Sequence, residues 1–297
     1  ARNPEKALEF LNEMKDKGLR PDQGTYVTAL EACSRGSNIG IFDEIFNSWD
    51  FQYDNVRLFS TILNFLAEMK TSEAAKRVEE LMIKYGSPDL IQYNIAMKAW
   101  ALSDDCSYQR GDAIWRLYEQ MKHSVKVDDT TYALILRYVC QTKQRKNIRK
   151  ADELLASLDF APDHRHYDPI HQGWIDIGDF KEVLEMLKHR VDLHLTGMNP
   201  DARPSPTIYH NLTLSAIQNG KLEAVTKLME RLSEQYYERR LNGLGPGLRV
   251  YELLFAGWDQ SQHPHRTLFL SKVQLRMASL LKQGDRPIDP KWYRRSA

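Results

Sequence analysis

The chain has 297 residues, 42% hydrophobic and 27% charged, a composition that folds and excludes a disordered coil. Lysine and arginine total 41 against 40 acidic residues, so the formal net charge of +1 excludes a protein that coats nucleic acid by bulk charge. A membrane helix needs roughly 18 consecutive apolar residues, and no such run occurs, so no membrane insertion is expected.

The chain opens on ARNPEKALEFLNEM, already helical in pattern, with Ala7, Phe10, Leu11 and Met14 forming one apolar stripe. No targeting peptide is visible there. Residues 1–22 are expected to be the second helix of a partial leading repeat whose start lies upstream. One pattern then recurs. Asp22, Asp89, Asp128 and Asp163 each precede a tyrosine by four residues: Tyr26, Tyr93, Tyr132 and Tyr167. Asp54 precedes Leu58 in the same way, and Ser205 and Gly247 stand ahead of Tyr209 and Tyr251. Successive slots are 32, 35, 39, 35, 42 and 42 residues apart.

After each slot comes an apolar helix, such as YNIAMKAWAL or YALILRYVC. A polar break follows (SRGSNIG, KTSE, IDIGD, QNGK), then a second, amphipathic helix. Ala7, Ala74 and Ala113 each stand 15 residues before the closing aspartate, a small residue where two helices can approach closely. Strand signals are almost absent. The expected fold is therefore all-α, an α-solenoid of about seven helix-turn-helix repeats near 35 residues, each burying its core against its neighbours. Regular repeats span 23–205, longer ones 206–289, and a basic tail 290–297. The insertions DLHLTGMNPDARPSP and YYERRLNGLGPGLR are expected as loops after a second helix.

Reactive chemistry is sparse. Cys33, Cys106 and Cys140 lie far apart and read as reduced core thiols. His164, His166 and His171, like His263 and His265, are spaced too loosely for a tetrahedral metal site, and the repeat register explains where the first two fall. The glycines of NGLGPG follow no strand, which argues against a nucleotide loop. There is no deaminase signature and no aspartate cluster for a two-metal nuclease. No enzyme, cofactor, metal or small-molecule substrate is expected. The segment RYVCQTKQRKNIRK holds Arg137, Lys143, Arg145, Lys146, Arg149 and Lys150 with no acid, at a break between two helices. It is either a solvated turn or a contact for phosphates or a partner. Arg294 and Arg295, beside an aromatic pair in the closing RPIDPKWYRRSA, either stack on a base or partner surface or fray.

The junctions LRPDQGTY and SPDLIQYN, with second helices such as EKALEFLNEM, resemble the pentatricopeptide repeat family over roughly residues 5–290. The likeness is strongest in Lys6 to Asp22, Ser87 to Trp100 and Ala113 to Tyr132, and weakens from Ser205 onward. No unit shows the start that marks a tetratricopeptide repeat. The resemblance implies a right-handed superhelix, residence in a mitochondrion or alternatively a plastid, and single-stranded RNA bound along a concave groove. It also implies that a base is read by the residue after the tyrosine slot together with the residue closing the repeat. An apolar residue two before the slot would pack between bases.

The implied pairs are Val27 with Asp54, Phe59 with Asp89, Asn94 with Asp128 and Ala133 with Asp163. Asp168 with Ser205 and His210 with Gly247 follow, and Glu252 stands alone. Asn94 with Asp128 is the pair with base-reading chemistry, of the kind the family associates with pyrimidines: an amide that donates and accepts, and a carboxylate to orient it. The expected partners are RNA, single-stranded or ribosomal, and protein subunits of a larger complex. The chain would be an RNA-binding or architectural subunit of a large ribonucleoprotein such as a mitochondrial ribosome. Alternatively, it would be a protein-only scaffold whose groove takes a partner helix or peptide.

Overall fold

The protein is described by a computed structural model covering residues 3–50, 56–85, 88–238 and 245–282. Fifteen α-helices and no strand occur among the described residues. In chain order, α1 (Pro4–Asp16) precedes α2 (Gln23–Gly36), α3 (Ile39–Asn47), α4 (Val56–Ala67), α5 (Ser72–Lys84), α6 (Leu90–Leu102), α7 (Ser107–Ser124) and α8 (Asp129–Cys140). There follow α9 (Arg145–Ala156), α10 (His164–Asp176), α11 (Phe180–Thr196), α12 (Pro206–Gln218), α13 (Leu222–Glu238), α14 (Leu248–Gln260) and α15 (Arg266–Lys282), with a 3-10 turn at Pro200–Ala202. All seven slots, Tyr26 to Tyr251, lie in the even-numbered helices, the first helix of each repeat.

The recurring aspartates start helices because a carboxylate satisfies a backbone N–H that the first turn leaves unpaired. Asp22 accepts from Thr25 N at 2.8 Å, Asp89 from Gln92 N at 2.8 Å and Asp128 from Thr131 N at 2.7 Å. Asp163 accepts from Arg165 N at 2.8 Å and forms a capping box with His166. Four residues on, the tyrosine turns inward. Tyr26 stacks on Trp49 with ring centroids 4.9 Å apart, and the buried Tyr251 donates to Met229 O at 2.9 Å.

Most breaks between the two helices of a repeat use one left-handed residue to reverse the chain. These are Ser37 (φ 50°), Lys70 (φ 61°), Lys143 (φ 55°), Gly178 (φ 75°) and Gly220 (φ 66°). Glycine suits this conformation, whereas the two lysines hold it at a steric cost.

The chain forms two compact units, Ala1–Asn147 and Ile148–Ala297, divided within α9. Inside the first, α2, α4, α6 and α8 pack successively, and inside the second α10, α12 and α14 do the same. Second helices are tied by charge. Arg77 of α5 reaches back to Asp43 of α3 at 2.8 Å, and Arg116 of α7 grips Glu79 of α5 through two bonds of 2.8 Å. Each arginine stands three residues after a buried alanine, Ala74 or Ala113, so the expected close approach and the ionic tie share one helix face.

Two expectations are corrected. Helix α11 continues through Asp192–Thr196, because Val191 stays buried and Leu193 and Leu195 are half-buried. Gly197 (φ 75°) then ends it, so the first insertion is partly helix. Helix α13 likewise runs to Glu238, taking in the start of the second. Cys33 and Cys140 are buried free thiols, and burial pushes the Cys33 thiol up to about 11. Cys106, by contrast, is exposed at the start of α7 and no core residue.

Candidate nucleic-acid interface

The first helix of every repeat begins with the same presentation. The residue two before the slot is exposed at Gly24, Val56, Ile91, Thr130, Arg165, Thr207 and Arg249. In consecutive repeats of the first unit, Val56 and Ile91 are large apolar side chains left 45% and 59% exposed, the chemistry a base face can cover.

The residues after the slot differ sharply. Phe59 is 0% exposed and Glu252 only 7%, so both belong to the core. Asp168 is held by the guanidinium of Arg190, a fully buried cation whose Nη1 donates to Asp168 Oδ1. Arg190 also donates from Nε to Ala202 O and from Nη2 to Arg203 O at 2.7 Å, and lies 4.9 Å from the Tyr167 ring centroid. Burial pulls Arg190 down from its ordinary value while Asp168 opposes the fall. Beside it, burial and the Arg190 charge hold His171 down to about 3, hence neutral. Thus Asp168 is the acid of a structural ion pair. Val27, Ala133 and His210 are half-buried.

Asn94 stands apart. Its Nδ2 donates to Thr131 Oγ1 at 2.9 Å, and its Oδ1 is buried without a hydrogen-bond partner. Thr131 N in turn donates to Asp128 Oδ1 at 2.7 Å. The two side chains that the family resemblance pairs, one on α6 and one capping α8, are therefore joined through a residue between them. Among the other aspartates, Asp89 is committed through one oxygen to its cap. Asp163 is engaged through both, since Arg165 Nε donates to Oδ2 at 2.8 Å and His166 lies 2.9 Å from Oδ1. Burial raises Asp163, but the bonds from Arg165 and His166 hold it below the usual carboxylate range. Asp54 lies outside the described residues.

Spacing alone missed Thr131, which sits one residue before a slot, where the repeat carries no recurring residue type. It also missed Lys98, whose Nζ donates to Asn64 Oδ1 at 3.0 Å and Glu68 Oε1 at 2.5 Å across neighbouring first helices. One lysine among polar neighbours carries no sequence signal for such a bridge.

The basic turn forms as an outward face. Lys143, Arg145 and Lys146 are exposed at the end of the first unit, and Arg149 and Lys150 at the start of the second. On α9 the alternate side, Ile148, Ala151 and Leu154, is buried. Lys146 Nζ lies 5.8 Å from the ring centroid of the exposed Tyr108. Arg294 and Arg295 lie outside the described residues. No group of three His, Cys, Asp or Glu side chains that could hold a metal, and no helix long and apolar enough to cross a membrane, occurs among the described residues.

These features define an α-solenoid of helix-turn-helix repeats. No family model matches the sequence. Small ribosomal subunit protein mL103 (rPPR7) of Arabidopsis thaliana is 24% identical over 149 residues, 47% of this chain and 34% of that protein. A chloroplastic pentatricopeptide repeat-containing protein of the same plant is 26% identical over 132 residues, 44% of this chain and 20% of that one. The chain thus spans about a third or less of the curated relatives it matches. In structure, 95% of the chain superposes on 38% of the maize pentatricopeptide repeat protein PPR10 with a TM-score of 0.64 at 17% identity. PPR10 in complex with an 18-nt psaJ RNA element gives 0.53 over 94% of this chain at 16% identity. The chain is thus similar in sequence to pentatricopeptide repeat proteins over less than half of its length, and it shares the fold of PPR10.

Proposed function

We propose that this chain is a non-enzymatic RNA-binding protein of an organelle, mitochondrial in preference to plastid, acting as an architectural subunit of a large ribonucleoprotein such as the mitochondrial ribosome. The observation that carries this reading is the uneven state of the first-helix layer. Asn94, linked through Thr131 to Asp128, and His210 each keep a buried polar atom without a partner, while Phe59 and Glu252 are core and Asp168 is ion-paired. Such a layer holds RNA by shape, backbone and at most local base recognition. The basic turn at Lys143, Arg145, Lys146, Arg149 and Lys150 then supplies sequence-independent attraction to phosphates. Arg294 and Arg295 extend that role. Likeness to a ribosomal subunit protein and to a fold solved with RNA supports the same reading.

Fluorescence anisotropy with single-stranded RNA tests the RNA half, with micromolar affinity or better expected. Replacing Lys143, Arg145 and Lys146 together by alanine should weaken binding to every sequence. The log–log salt dependence should flatten by about 0.7 for each phosphate no longer neutralised. Sedimentation of organelle lysates tests the architectural half. The chain should travel with a large particle and be released by nuclease. Nuclease-resistant association, with no RNA affinity, would favour instead a protein-only scaffold whose groove takes a partner helix or peptide.

A further inference from the structure

We infer that Thr131 is a positioning residue that sets the orientation of the Asn94 amide and so determines which base that repeat accepts. This rests on the proposed RNA-binding reading and deepens it at one repeat.

Asn94 has few constraints of its own. A terminal amide rotates broadly about its last torsion, and its two ends present opposite hydrogen-bonding chemistry. An unrestrained amide therefore accepts either sense of base edge. In this structure one bond from Nδ2 to Thr131 Oγ1, at 2.9 Å, tethers the amide. It uses one of the two N–H donors and leaves the other as the amide's remaining donor, while Oδ1 is buried without a partner. Thr131 is itself fully buried, and its backbone N–H is tied to Asp128 Oδ1 at 2.7 Å. Its backbone is thus anchored by the same aspartate that closes the repeat. The coupling between Asn94 and Asp128 runs through this one residue of the next repeat.

The arrangement is peculiar to this junction. At the corresponding position, one before the slot, the other repeats carry Thr25, Arg57, Gln92, His166, Ile208 and Val250. Of these, Thr25 has the same hydroxyl, but it donates to its own cap, Asp22 Oδ1, at 2.6 Å. Asn94 therefore owes its orientation to a specific neighbour and not to a general feature of the repeat.

The test compares wild type, T131V, T131S and N94A for affinity to oligo-U, oligo-C and oligo-A, with circular dichroism to verify folding. Valine keeps the shape and the backbone cap but lacks the hydroxyl, whereas serine retains it. T131V should reduce the ratio between the best and worst homopolymer by roughly three- to tenfold, the worth of one hydrogen bond, bringing it toward that of N94A. T131S should keep the wild-type ratio. A T131V protein that discriminates like wild type while N94A does not overturns this inference and leaves RNA binding intact. Wild type and N94A binding all homopolymers alike overturns reading by Asn94 altogether, and absence of any RNA affinity overturns the proposed function. Should T131V fail to fold, the wild type decides by NMR of the side-chain amides. Asn94 protons exchanging more slowly than those of the exposed Gln23 support the anchor, and equally fast exchange removes it.

Discussion

Arg190 is a fully buried cation in the second unit. A guanidinium with no solvent exposure is tolerable because Asp168 and the carbonyls of Ala202 and Arg203 occupy its donors. Replacing it by methionine should cost about 3–5 kcal/mol, read as a fall in the urea midpoint, since Asp168 and two carbonyls lose their partner. The double variant D168N/R190M should cost less than the sum of the single changes, because the two residues are coupled. Asp152 makes a second prediction. Burial pushes its carboxyl up to about 6 from an ordinary 3.8, against the pull of Trp174 Nε1, which donates to Oδ2 at 2.9 Å, and with help from Glu182 and Glu153. A raised value means the folded state binds the proton more tightly than the unfolded one. The stabilising contribution is complete below the unfolded value near 3.8 and is lost as pH rises through about 6. D152N should therefore gain most over wild type near neutral pH, and that gain should shrink in denaturation series taken toward pH 4.

At the scale of the element, the repeat was written openly in the sequence. An aspartate four residues before a tyrosine states where a helix starts and which face turns inward. Asp22 and Tyr26, Asp89 and Tyr93, and Asp163 and Tyr167 all behave so. Local chemistry accounts for this, since a cap is satisfied within three residues. Not legible was the fate of the positions that follow each slot. Whether Phe59, Asp168 or Glu252 faces outward depends on partners far along the chain, such as Arg190 for Asp168. The helical start of the first insertion was also hidden, because a glycine that ends a helix and a glycine inside a loop read alike. Two element-level outcomes follow. D89A should cost about 1 kcal/mol in thermal unfolding through the lost cap, and D89N much less, because the amide oxygen still accepts from Gln92 N. K70G should be neutral to stabilising, by up to about 1 kcal/mol, since Lys70 holds φ 61° at a turn where glycine has no side-chain penalty.

For the whole molecule, a chain whose helices pack mainly on their neighbours has no single core to lose. Stability is then close to a sum of repeat and nearest-neighbour terms. Hydrogen exchange on R190M should show amides of α10, α11 and α12 losing protection while those of α4 to α7 keep wild-type rates. Uniform loss across both sets would show one cooperative body in its place.

The arginine under the first insertion also bears on how the chain can be edited. Repeat proteins invite trimming: excise a loop, restore the common length, and expect the array to close up. Excising residues 197–205 would remove Ala202 and Arg203, and with them two of the acceptors around Arg190. The shortened protein would be left with a buried cation and one carboxylate, a worse molecule than either the long form or one trimmed together with Arg190. Extra length in this repeat is a structural part with its own fastening, and it can be removed only along with what fastens it.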